Sequence, residues 1–148
     1  MILSQKCQYA LRAVFELAKR DGQGAVKIGD IAEAQAIPAK FLEAILNQVR
    51  LAGFVNSRRG KDGGYMLAKS AEEITVGDII HLIEGPISVV DCVGNAKNGM
   101  CEFGKKCVFF PMWEKARKSL DDIFNETDFK SLVKEEIAKS DNAPMYCI

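Results

Sequence analysis

The sequence has one histidine, His81, and no long uninterrupted run of apolar residues. A lone histidine with no identifiable serine or cysteine partner does not make a nucleophilic site, and no phosphate-cradling or acid/base constellation accompanies it. A thiol enzyme built on Cys101 or Cys107 would lack its base. Apolar positions in the first twenty residues, MILSQKCQYALRAVFELAKR, are interrupted by Lys6, Arg12, Glu16 and Lys19. That pattern is not the core of a secretion signal, and no later segment is apolar enough to cross a bilayer. The expectation is a cytoplasmic protein with no membrane partner.

The formal net charge is zero over 148 residues, so no sign dominates the whole chain. The halves differ. Residues 1–70 carry 11 Lys and Arg against 6 Asp and Glu, a balance of +5, and residues 71–148 carry 9 against 14, a balance of −5. The first half is suited to a polyanion. With 48% hydrophobic residues the chain needs no covalent staples to fold. Its five cysteines are odd in number, and three of them fall within the stretch DCVGNAKNGMCEFGKKCVFFP. Clustering of this kind in a reducing compartment points to metal binding or thiol chemistry rather than a disulfide framework.

Leu3, Cys7, Leu11, Val14 and Ala18 recur at helical spacing and predict a first helix ending at Asp21–Gly24. Ile28, Ile31 and Ala32 predict a second, short one. Pro38 opens a third that runs to about Ala52, since proline is well tolerated at the first helical position. Phe41, Leu42, Ile45, Leu46 and Val49 form its core stripe. Lys40, Glu43, Asn47 and Arg50 share the opposite face.

The runs FVNSRR and YMLA flank the glycine-rich GKDGG, a hairpin signal. Three helices followed by a hairpin describe a winged helix, mainly α with a small β wing. In that fold the third helix enters the DNA major groove, and Arg58, Arg59 and Lys61 at the hairpin tip reach an adjacent minor groove or the backbone. Successive strand residues point to opposite faces, so one of Arg58 and Arg59 aims at DNA; Arg59, nearer the turn, is the choice.

Thr75 and Asp78 are spaced as a capping box for a fourth helix ending near Gly85, which contains His81. Beyond the cysteines, Trp113, Ala116, Leu120 and Ile123/Phe124 predict a long helix from Pro111. Phe129, Leu132, Val133 and Ile137 predict a further one. The long helix must bury its apolar stripe against a second copy of itself or against the first helix; the former gives a homodimer reading a palindromic operator. The organisation expected is a DNA-binding unit at 1–84, a cysteine-rich loop at 85–110, dimerisation and C-terminal helices at 111–140, and a tail at 141–148 in which Cys147 is mobile.

These segments resemble the Rrf-two family of bacterial winged-helix transcriptional regulators. The resemblance covers residues 1–125 and rests on YALRAVFELA, IGDIAEAQAIPAKFLEAILNQVRLAGFV, SRRGKDGGYMLA, ITVGDIIHLIEG and the C-x8-C-x5-C loop. It implies a sequence-specific regulator, a repressor of double-stranded DNA targets, with DNA contacts on Lys40, Glu43 and Arg59. It further implies an iron–sulfur cluster, 2Fe–2S or 4Fe–4S, held by Cys92, Cys101 and Cys107 and sensing cluster status, redox state or nitric oxide. Some members take the fourth ligand from a histidine, where Phe110 stands here, and others from a first-helix carboxylate, where Gln8 stands. Cys7 is the adjacent candidate, with a core cysteine as the alternative; a small molecule, Asp91 or an incomplete coordination sphere are the other options. The other reading keeps the dimeric regulator and replaces the cluster with zinc, cysteine oxidation or a partner protein as signal.

Overall fold

Ser4 accepts a hydrogen bond from the Cys7 amide at 3.1 Å and so opens the first helix, α1 (Gln5–Lys19). The computed structural model describes residues 3–93 and 101–142, apart from the side chain of Lys105; the loop glycines Gly94 and Gly99, and Cys147, lie outside them. The order continues with α2 (Ile28–Gln35), α3 (Ala39–Leu51), β1 (Val55–Arg58), β2 (Gly64–Leu67), α4 (Val76–Glu84), α5 (Phe110–Glu126) and α6 (Phe129–Asp141). A single 3-10 turn at Gly104–Lys106 precedes α5. The winged helix expected from the sequence is present, mainly α with one two-stranded antiparallel sheet.

The core forms around α1, which packs against α2, α3, α4 and α6. Ala10, Ala13, Val14 and Leu17 supply its buried face, and Leu42, Ile45, Leu46 and Val49 supply that of α3. Truncating a leucine buried this fully costs roughly 2–5 kcal/mol in general. Phe41 corrects the predicted stripe: it is 49% exposed and stacks on Tyr9 instead of entering the core. Four apolar positions already fill the side of α3 that faces α1, and Phe41 stands one residue round the helix from Leu42. Pro38 is the cap residue before α3, one position earlier than the first helical residue.

The turn from α2 to α3 is held from α1. Ala36 sits in the left-handed region with φ 49°, which is costly for a residue bearing a Cβ. Arg12 donates from Nη2 to the carbonyls of Gln35 and Ala36, satisfying the end of α2. The buried Glu16 carboxylate accepts from Arg20 Nε at 2.7 Å and from Gln35 Nε2 at 2.8 Å, tying the same two helices.

In the wing Val55 stands opposite Leu67 and Arg58 opposite Gly64. Tyr65 also exchanges two backbone hydrogen bonds of 2.8 Å with Val26, so the segment before α2 adds a third position to the ladder. The capping box on α4 is present in both halves, Asp78 amide to Thr75 Oγ1 at 3.1 Å and Thr75 amide to Asp78 Oδ2 at 2.9 Å.

The last two helices have different partners. α6 returns to α1: Phe129 is buried, its amide donates to the Ile74 carbonyl, and Val76 donates to Thr127. α5 runs along α4, where Gly77 lies against the Asn125 side chain and His81 Nε2 is 2.9 Å from Asp121 Oδ1. None of the described residues of α5 is fully buried.

Candidate nucleic-acid interface and cysteine loop

Three elements converge on an open cleft of about 860 Å³: the first turn of α2, the polar face of α3 and the wing. α3 contributes Glu43, Asn47 and Arg50, and the wing contributes Arg58, Arg59 and Lys61. The structure therefore brings six of the seven sequence-derived DNA candidates to one surface. It adds Lys27 and Asp30 from α2, so five cations face two carboxylates there. All of these side chains are exposed. Arg50 Nη2 donates to Asn47 Oδ1 at 2.8 Å, which holds the guanidinium along the helix face before any ligand arrives.

Lys40 is the exception. It lies on the flank of α3, with its ammonium 4.9 Å from the centre of the Phe41 ring, and does not line the cleft. Sequence reasoning missed Lys27, whose position depends on the Val26–Tyr65 pairing. It also missed Arg12, which donates to the carbonyls of the turn between α2 and α3. An arginine on the polar side of a first helix carries no local signal of that role.

The cysteines separate into two environments. Cys7 is completely buried, packed with Ile80 and Ile87 between α1 and α4. Burial, and then the neighbouring Glu84 carboxylate, push its thiol up to about 11. Ser4 adds a brace there, donating from both its amide and its hydroxyl to Glu84 Oε1. Cys92 and Cys101 are exposed and Cys107 is half-buried. At the entry to the loop the Ser88 hydroxyl is shared between the carbonyls of Val90 and Val93, and Val93 is buried beside Cys92.

Among the described residues no three histidine, cysteine or acidic side chains stand close enough to hold a metal ion, so Cys92, Cys101 and Cys107 are not brought together here. Of the two alternative ligand positions, Phe110 begins α5, and Gln8 folds back to donate to the Leu3 carbonyl at 3.1 Å. The contrast in environment gives a test. A thiolate is the reactive form, so iodoacetamide at pH 8 is expected to label Cys92 and Cys101 at least about tenfold faster than Cys7 in the folded protein. Peptide mass spectrometry over time reads this, and equal labelling would contradict the burial of Cys7.

The sequence model of the Rrf2 family, described as an iron-dependent transcriptional regulator, matches residues 3–135. The regulator IscR of Klebsiella pneumoniae is 32% identical over 136 residues, covering 92% of this chain and 82% of that protein. Two solved structures are also similar. CymR, the global cysteine regulator of B. subtilis, superposes with TM-score 0.77 at 32% identity over 91% of this chain and 98% of its own. IscR of T. potens gives TM-score 0.77 at 31% identity over 98% and 93%. No helix of the described residues is long and apolar enough to cross a membrane. Fold, sequence model and relatives agree, and the chain belongs to the Rrf2 family of transcriptional regulators, which are DNA-binding proteins and not enzymes.

Proposed function

We propose that the chain is a dimeric repressor that reads a palindromic operator with α3 and the wing and senses a signal through the loop between α4 and α5. The observation that carries the DNA half is the shared cleft of Glu43, Asn47 and Arg50 with Arg58, Arg59 and Lys61. In this reading α3 lies in the major groove, where Glu43 accepts from a cytosine amino group and Arg50 meets base or phosphate. Arg59 suits a narrow minor groove, and Lys40 meets phosphate at the edge of the helix. Residues 1–84 form the DNA-reading unit, 85–110 the sensor loop and 111–140 the dimerisation and C-terminal helices, followed by the tail.

α5 supports the dimer. It is 17 residues long with no fully buried position, and Met112 and Ile123 are half exposed or more. An apolar stripe of this kind is covered most simply by its own symmetry mate. Ile123→Asp is expected to shift sedimentation to the monomer and to lower operator affinity at least about tenfold, because a palindrome is then bound one half at a time. An unchanged dimer would place the interface elsewhere.

Cys92, Cys101 and Cys107 are proposed as ligands of an iron–sulfur cluster. Donor chemistry and access fit, since thiolates are the usual protein ligands and none of the three is fully buried. Cys7, packed among Ile80 and Ile87, is a core residue in this reading, and the fourth place falls to another group. Ligation would join the end of α4 to the start of α5 and so bias the relation of the two winged units. Protein isolated without oxygen is expected to contain iron and acid-labile sulfide, lost in the alanine variants of Cys92, Cys101 and Cys107 and kept in Cys7→Ala. Colourless, iron-free protein after reconstitution would overturn this. The exposure of Cys92 and Cys101 would then favour thiol oxidation or zinc as the signal.

A further inference from the structure

On the flank of α3 that carries Lys40, a cavity of about 300 Å³ opens between α3 and the start of α1. Tyr9, Phe41, Ala44 and Ile45 form its walls, and Lys6 and Lys40 stand at its rim. The walls are apolar, and the size is at the lower end of small-ligand sites. Tyr9 and Phe41 are stacked with ring centres 6.4 Å apart, leaving Phe41 half in water. Among the described residues no acidic side chain lines the cavity, and neither ammonium has a carboxylate within ion-pairing distance.

We propose that this cavity binds a small aromatic carboxylate, and that its occupation weakens operator binding by pairing with Lys40 and so withholding it from phosphate at the edge of α3. The ring would extend the Tyr9–Phe41 stack, and the carboxylate would pair with Lys6 and Lys40. Lys40 rests over the Phe41 ring, 4.9 Å from its centre, beside the cavity on the flank of α3 and outside the DNA cleft. The second half rests on the reading of α3 as the DNA-contacting helix; the first does not.

The test uses the full chain with benzoate as probe and benzamide as its uncharged counterpart, followed through the methyl NMR signals of Ala44 and Ile45. Expected are saturable shifts with benzoate, about tenfold weaker binding of benzamide, threefold or greater weakening in Lys6→Met, and no benzoate shifts of Ile45 in Ala44→Trp, whose exposed position admits the indole to fill the cavity. Saturating benzoate is then expected to lower the affinity for a selected operator duplex at least about threefold in the wild type and not in Ala44→Trp. Shifts that never saturate, equal binding of benzamide, or shifts retained in Ala44→Trp overturn the site. Operator affinity unchanged at saturating benzoate overturns the regulatory half. Weaker operator binding by Lys6→Met with no benzoate shifts in the wild type overturns both and assigns this face to DNA phosphate. Operator affinity is measured first without ligand, so a failure there counts against the DNA reading while saturable shifts still support the cavity.

Discussion

Arg59→Ala is expected to lower operator affinity by about ten- to a hundredfold while leaving thermal unfolding within about 1 °C of the wild type. The reason is positional. Arg59 follows the last residue of β1, is exposed, and takes part in no side-chain hydrogen bond or ion pair among the described residues. Its removal therefore costs the fold almost nothing and takes one cation from the cleft. A lost phosphate or minor-groove contact should also reduce the slope of log affinity against log salt by about one. Titrations of a selected duplex at several salt concentrations measure both quantities. Full affinity with an unchanged slope would remove the wing tip from recognition.

The second large effect lies in the backbone of the same wing. Gly64 has φ +154°, a conformation that side chains rarely adopt, and a Cβ there would collide with the Val26 carbonyl. That carbonyl accepts from the Tyr65 amide at 2.8 Å, one of the two bonds fastening the wing to the segment before α2. Gly64→Ala must therefore shift the backbone of Val26 or release the pair. A loss of about 2–4 kcal/mol in urea unfolding is expected, together with operator affinity falling at least as far as in Arg59→Ala. Gly60→Ala provides the comparison: it has φ +106° but no atom within 4 Å of the added carbon, so only the conformational cost applies. Equal midpoints for Gly64→Ala and the wild type would mean that the wing is not anchored through Val26.

Much of this architecture is legible in the linear pattern because the signals are local. Apolar spacing marks α1, α2 and α3, the Thr75–Asp78 pair marks the start of α4, and the glycines between two extended runs mark the wing. Each depends on residues no more than a few positions apart. Phe41 shows the limit of such reading: periodicity assigns it to the core, yet the surface of α1 facing α3 is already filled, so its ring remains half in water against Tyr9. Arg12 shows another limit, since its partners are more than twenty residues away on the α2–α3 turn.

By itself, then, the sequence determined the winged-helix class, the basic character of the first half, the candidate recognition residues on α3 and the spacing of the loop cysteines, all properties of short-range order and composition. Only the tertiary structure decided that Glu43, Asn47 and Arg50 share one cleft with Arg58, Arg59 and Lys61, whereas Lys40 stands on its flank. It also decided that Cys7 belongs to the hydrophobic core and that α6 returns to α1 while α5 keeps an uncovered face. Those outcomes depend on which surfaces long-range packing fills first, and the helical period records only which residues share a face, not what that face meets.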